Sequence, residues 1–219
     1  MFDRASVRSR VVDANDGIIA TAGIVEGFSG AGASGATVLA AALAAMVAGG
    51  ISLGGAKYNE AAVEHDAELA VLEEERRQLE LAPKEELAEL AALYEAKGLS
   101  KELAGRVADE LTARDALAAH AEAEHGLTLG AVTTPVFVAL TSGIAFALGS
   151  GIPLLVVLLA STDHRIVITF IVVVVSLCVT SVVSARAGGI SPTRTVLRTT
   201  TIGIVTMVLT LAGGSLVVL

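Results

Sequence analysis

The sequence predicts an all-α membrane protein: five transmembrane helices, with an acidic, soluble insert of three helices between the second and the third. Three observations predict it. Of 219 residues, 53% are hydrophobic, with 22 glycines and no tryptophan; a mean hydropathy of +0.71 is rare for a soluble domain of this size. Several stretches reach the roughly 20 apolar residues that a helix needs to cross a bilayer core. The charges are segregated, since residues 59–130 hold eighteen Asp or Glu against seven Lys or Arg, whereas the rest of the chain is slightly basic.

In chain order, residues 17–35 form the first predicted span, although it contains Glu26 and several glycines. Spans two to five are expected at 36–56, 133–160, 166–185 and 199–219. Span two meets no proline or glycine from Ala56 to Leu81, so it is expected to continue as one helix into the insert and to end just before Pro83. The next helix starts with Pro83 in its first turn and stops at Gly98; the third starts after Ser100, a good N-cap, and stops at Gly126. Leu87, Leu90 and Leu93 mark one apolar face, and Leu103, Val107, Leu111 and Leu117 another. The domains are thus 1–58, 59–130 and 131–219. Pro153 is expected to bend span three.

Arg4, Arg8 and Arg10 precede span one, and Arg186, Arg194 and Arg198 fall around the connection of spans four and five. With five spans these regions share a side, which the enrichment of basic residues in cytoplasmic loops makes the cytoplasm. The N-terminus and insert are then cytoplasmic and Leu219 ends outside. The first fifteen residues lack the apolar core of a secretory leader. Cys178, the single cysteine, excludes an intrachain disulfide framework and a sulfur-rich metal site. An acidic soluble part gives no footing for nucleic acid.

Acidic residues recur in the insert at helical spacing with histidine nearby. Glu86 and Glu89 are three apart and His120 and Glu124 four apart, so each pair projects from one helix face, and Glu75 can join them. Carboxylate oxygen with imidazole nitrogen suits Fe(II), Mn(II) or Zn(II) rather than copper(I). The ordinary alternative is a solvated charged face. Glu122 and His125 form a Glu-x-x-His, but a di-iron site needs two such motifs and the chain has one, so the protein is not read as an enzyme, and a membrane-anchored metal sensor or buffer stands ahead of a membrane ferroxidase as the alternative to transport. Within the spans, Asp16, Glu26 and Lys57 are candidate transport-path residues, because ionisable groups at membrane depth are costly. Capping explains Asp16 and snorkelling explains Lys57 equally well, whereas Glu26 has no such simple alternative.

Four motifs in the spans carry a resemblance: Ala14-Asn15-Asp16-Gly17 followed by Thr21-Ala22, Ala48-Gly49-Gly50-Ile51-Ser52, Ala139-Leu140-Thr141-Ser142-Gly143-Ile144-Ala145-Phe146, and Pro153-Leu154-Leu155. The insert adds Glu75-Arg76-Arg77, Leu87-Ala88-Glu89-Leu90, the stretch from Tyr94 to Ser100, and Asp115 to His120. In their order and spacing the chain resembles the vacuolar iron transporter family, nearly end to end. The resemblance implies five spans, a cytoplasmic three-helix metal-binding domain and a homodimer in the lipid bilayer. It implies export of Fe(II), in some members Mn(II), in exchange for protons along a path at the dimer interface, and a bacterial inner membrane as the setting. It also implies metal ligands at Glu75, Gln78, Glu86, Glu89, His120 and Glu124, with Gln78 standing for a glutamate and His120 for the methionine of plant members. No resident cofactor is expected beyond the bound or transported metal. Asp16 matches the family's aspartate in span one. Lys57, in Ala56-Lys57-Tyr58, stands where a glutamate is expected, and Glu26, Glu60 or Glu64 are the carboxylates that can compensate.

Overall fold

The computed structural model describes residues 4–129 and 134–217. The expected domain boundary at residues 130 and 131, the start of span three at Thr133, and Leu219 lie outside these residues. The described residues form seven α-helices and one short 3-10 helix, Thr162–His164, with no strand. The helices are α1 (Arg4–Gly30), α2 (Gly35–Leu81), α3 (Pro83–Ala96), α4 (Lys101–His125), α5 (Pro135–Leu159), α6 (Arg165–Gly188) and α7 (Pro192–Val217). They divide into two compact units, one containing the chain up to Tyr58 and from Val136 onward, the other Asn59–Pro135.

Among the described residues, four stretches are long and apolar enough to cross a membrane: α2, α5, Thr162–Gly188 and α7. Helix α1 is not among them. Its 27 residues would reach about 40 Å, but Asp13, Asp16 and Glu26 interrupt its apolar character. Helix α1 packs against both α6 and α7 and hides Asp13 and Glu26 together with Ile18, Thr21, Ala22 and Val25, whereas Asp16 is exposed. The other helices turn large apolar side chains outward, among them Leu140, Leu148, Ile171 and Leu209, as a lipid-facing surface requires.

Helices α1 and α6 run antiparallel. Thr180 donates a hydrogen bond to Asn15 Oδ1 (2.6 Å), and equal steps in opposite directions bring Ile18 to Leu177 and Ala22 to Val173, which share a core with Met207 of α7. Glycine permits the closest approaches: a Cβ at Gly17 would lie 2.0 Å from the Phe146 carbonyl oxygen of α5, and one at Gly149 1.9 Å from that of Ala14. Helix α7 begins at Pro192, ahead of the expected 199, because proline at the first helical position extends it beyond the apolar core and draws Arg194 and Arg198 into its first turns. Arg165, just ahead of the fourth span expected at 166–185, starts α6 and is 4% exposed.

In the second unit α2 continues unbroken to Leu81, and α3 packs on α4 through Leu90, Ala108 and Ala119. The buried face of α4 is Ala104 and Ala108 rather than the expected Leu103 and Val107. Alanines let the two helices approach closely, which turns Leu103 outward.

Candidate metal centre

Three helices of the second unit each present an acidic or imidazole group to one point. Glu75 projects from α2. Glu86 sits in the first turn of α3, where Pro83 starts the helix and unpaired backbone N–H groups favour a carboxylate. His120 and Glu124 come from the end of α4, which is not one continuous helix. Asp115 is extended (φ −165°, ψ 97°), and its Oδ1 accepts from the Ala118 N–H at 3.0 Å. Asp115 thus caps a fresh helical segment and re-aims the turn that bears His120 and Glu124. Gly126, left-handed at φ 68°, closes it.

One ligand atom from each of Glu75, Glu86, His120 and Glu124 lies within 4.8 Å of all the others. His120 Nδ1 is 3.0 Å from Glu75 Oε1, 3.1 Å from Glu124 Oε1 and 3.7 Å from Glu86 Oε2. His120 is wholly buried, and Glu75 and Glu86 nearly so. Only the contact with Glu124 has hydrogen-bond geometry; Glu75 Oε1 is close to the ring nitrogen but buried without a hydrogen-bond partner. Burial pushes the Glu75 carboxyl above its ordinary range, helped by Glu124 and opposed by His120. Burial likewise raises Glu86, with His120 opposing and Glu89 adding to the rise. Three carboxylates crowded around one imidazole repel each other. A divalent cation would reverse that repulsion, and an oxygen-rich set with one nitrogen fits Fe(II), Mn(II) or Zn(II).

Two of the expected ligands stand apart from this group. The Gln78 amide donates to Glu74 Oε1 at 2.9 Å, although Gln78 borders the same cavity as Glu75, Glu124 and His125. Glu74 is also bound by Arg77, and these two partners hold its carboxyl down at about 2. Glu89 is exposed, one turn beyond Glu86. His125, absent from the expected set, lies with Nε2 3.9 Å from Glu75 Oε2 and 3.8 Å from Glu124 Oε2. Glu75 and Glu124 each turn one oxygen toward His120 and the other toward His125. Glu122 is exposed, so the Glu-x-x-His pair does not converge on this site.

In the first unit, Asp16 lies on the exposed strip of α1 with Val12 and Ala20, and the charged groups that act on it are Asp13 and Lys57. Lys57 is thus the neighbour of Asp16, whereas Glu26 is buried on another face of α1 with neither oxygen hydrogen-bonded.

The VIT family matches residues 7–215. The vacuolar iron transporter of Acanthamoeba castellanii is 39% identical over 150 residues, 68% of this chain and 54% of the relative, so the chain spans about half of that protein's length. Vacuolar iron transporter 2 of Oryza sativa subsp. japonica is 31% identical over 169 residues, 76% of this chain and 69% of the relative. Vacuolar iron transporter 1 of Arabidopsis thaliana is 28% identical over 200 residues, 90% of this chain and 80% of the relative. With a match that runs from the start of α1 to the end of α7, this chain belongs to the VIT family.

Proposed function

We propose that the protein is a membrane transporter that moves Fe(II), with Mn(II) as a second cargo, out of the cytosol in exchange for protons. The observation that carries this reading is the buried convergence of Glu75, Glu86, His120 and Glu124, in a chain whose curated relatives bear the name vacuolar iron transporter. In this reading α1 is a fifth span, packed against α6 and α7 with Asp13 and Glu26 buried, and the N-terminus and insert face the cytosol. Two copies form the working unit in a bacterial inner membrane. Exposure of the Asp16 strip in a single protomer is consistent with a partner covering it.

The mechanism is staged. Glu75, Glu86, His120 and Glu124, with His125 beside them, take the cation from the cytosol while deprotonated. The cation then passes to Asp16, and protonation from the far side releases it. Lys57 acts on Asp16, and a cation at that position opposes a divalent metal by Coulomb repulsion. That neighbour favours one second reading, in which the insert is a membrane-anchored metal buffer or sensor without transport.

The deciding experiment is Fe(II)-dependent quenching of an internal dye in proteoliposomes, with and without a pH gradient, for the native chain and Asp16→Ala. Uptake that requires the gradient and disappears with Asp16→Ala supports the transporter. No uptake by native protein that still binds Mn(II) at the insert rejects transport and leaves the buffer.

A further inference from the structure

Glu26, like Asp13, is a carboxylate of α1 that the staged mechanism does not use, and unlike Asp13 it lies deep in the apolar part of the helix. It is 0% exposed, and both its oxygens are buried without a hydrogen-bond partner. Asp16, ten residues earlier, is exposed on the outside of the protomer, and at 100° per residue its side chain points about 80° away from that of Glu26. Glu26 is therefore enclosed within the protomer while Asp16 is not.

The α1–α6 register identifies its surroundings. Eleven residues on from Asn15 along α1 is Glu26, and eleven back from Thr180 along α6 is Thr169. Thr169 is fully buried and its Oγ1 has no hydrogen-bond partner. One turn further, Arg165 lies on the same face of α6, 4% exposed, with Nε unpartnered; Ser29 Oγ of α1, at that level, is unpartnered too. In the other direction Ile18, Ala22, Val173, Leu177 and Met207 close the space with an apolar plug. These buried polar groups thus lie on the side of the plug toward the end of the unit where α1 finishes and α6 begins. Helices α2 and α5 contribute Val38, Ala42 and Val157 around Val25, and α7 contributes Thr206 and Thr210 against Gly23 and Gly27. Arg165 is the single charged group that these elements bring to this level among the described residues, and no ion pair among them joins it to Glu26.

A charged carboxylate without partners in such a place would carry a large desolvation cost, which a bound proton removes. We propose that Glu26 is the proton-binding site of the exchange, loaded from the far side past the buried polar groups of Thr169 and Arg165, on a route inside the protomer and separate from the cation's route over Asp16. This deepens, and rests on, the transporter reading above. The step is an acid–base exchange: the carboxylate takes a proton from water at the far side and gives it up when α1 shifts past the apolar plug toward the cytosol. No bond other than O–H forms or breaks.

The test uses the full chain in proteoliposomes, with Fe(II) flux and proton flux read together, for native protein, Glu26→Gln and Glu26→Asp. The expected result is that the proton flux per metal ion falls to background in Glu26→Gln and returns in part in Glu26→Asp. A ratio unchanged in Glu26→Gln overturns the proposal. A second readout needs no transport: an infrared carboxylic C=O band present in the native protein and missing from Glu26→Gln supports the proposal, and native and Glu26→Gln spectra without that difference overturn it. If the native chain carries no metal, the transporter reading fails, and the infrared result alone decides whether Glu26 holds a proton.

Discussion

Asp115→Ala tests how the fold sets the metal site. The substitution removes the Oδ1 that accepts from Ala118 N–H at 3.0 Å and, because Asp115 is exposed, little else. Losing an N-cap of this kind costs about 1 kcal/mol. The segment it caps carries both His120 and Glu124, so fraying of its first turn competes directly with metal binding. If all of the lost cap energy appears in binding, Mn(II) affinity falls by about fivefold, from the tenfold per ~1.4 kcal/mol relation. Isothermal calorimetry on the detergent-solubilised full chain reads the affinity, and thermal unfolding without metal reads the cap. Asp115→Asn retains a capping oxygen without the charge and is expected to stay within about twofold of native, since the helix-end charge contributes only a few tenths of a kcal/mol at an exposed site. Native affinity and stability in Asp115→Ala would refute the capping argument. A loss well beyond tenfold would refute it as well, since Asp115 would then be acting as a ligand.

Glu75→Gln should weaken Mn(II) binding by about tenfold or more, on the order of 1.4 kcal/mol, whereas Glu89→Gln should change it by less than about twofold in the same calorimetric titration, because Glu89 is exposed and outside the cluster. The raised carboxyls of Glu75 and Glu86 bind protons in the folded state at pH values where the unfolded chain has released them. Stability of the metal-free protein should therefore increase as pH falls from neutral toward the ordinary glutamate value, and decrease as pH rises through the raised values; thermal melts with chelator over that range check the sign, and saturating Mn(II) should reverse the trend because protons and metal compete. Gly149→Ala puts a Cβ 1.9 Å from the Ala14 carbonyl oxygen, a backbone atom that cannot yield without moving α1, so destabilisation of about 1–3 kcal/mol or more is expected. Gly151→Ala, with nothing within 4 Å, should match native in the same detergent unfolding assay.

Much of the second unit is legible from residues with strong local chemistry. Pro83 at the start of α3, Gly98 at φ 103°, Ser100 accepting from Leu103 N–H, and Gly126 at φ 68° each act where their side chains, or lack of one, require. His120 and Glu124 could be paired from their spacing because a four-residue step is a property of the helix alone. What was not legible depends on neighbouring elements. The break at Asp115 is hidden in an alanine-rich stretch with high helix propensity, and only the tertiary demand for a re-aimed segment selects it. The rotation of α4 onto Ala104 and Ala108 follows from close contact with α3, which hydrophobicity alone points the wrong way. His125 meets Glu75 and Glu124 only because that last segment is re-aimed, and its five-residue offset from His120 places it off the expected face. In the first unit, the three carboxylates of α1 lower its apolar character alike, and only packing against α6 and α7 separates the buried Asp13 and Glu26 from the exposed Asp16.

The energetics of the two units point in opposite directions, and that contrast bears on the exchange. In the second unit three carboxylates gather within 4.8 Å around one imidazole, an arrangement that is unfavourable until a proton or a divalent cation enters. Protons and metal then compete for the same oxygens, so acid releases the cation and neutral pH captures it. In the first unit Glu26 is solitary, so no metal charge can be shared among several ligands there and a single proton satisfies it. A crowded acidic site favours a doubly charged ion, and a single buried carboxyl whose oxygens have no hydrogen-bond partner favours a proton. On the proposed reading, the spacing of acidic residues along this chain thus separates a metal cargo from a proton by chemistry before any path between them is considered.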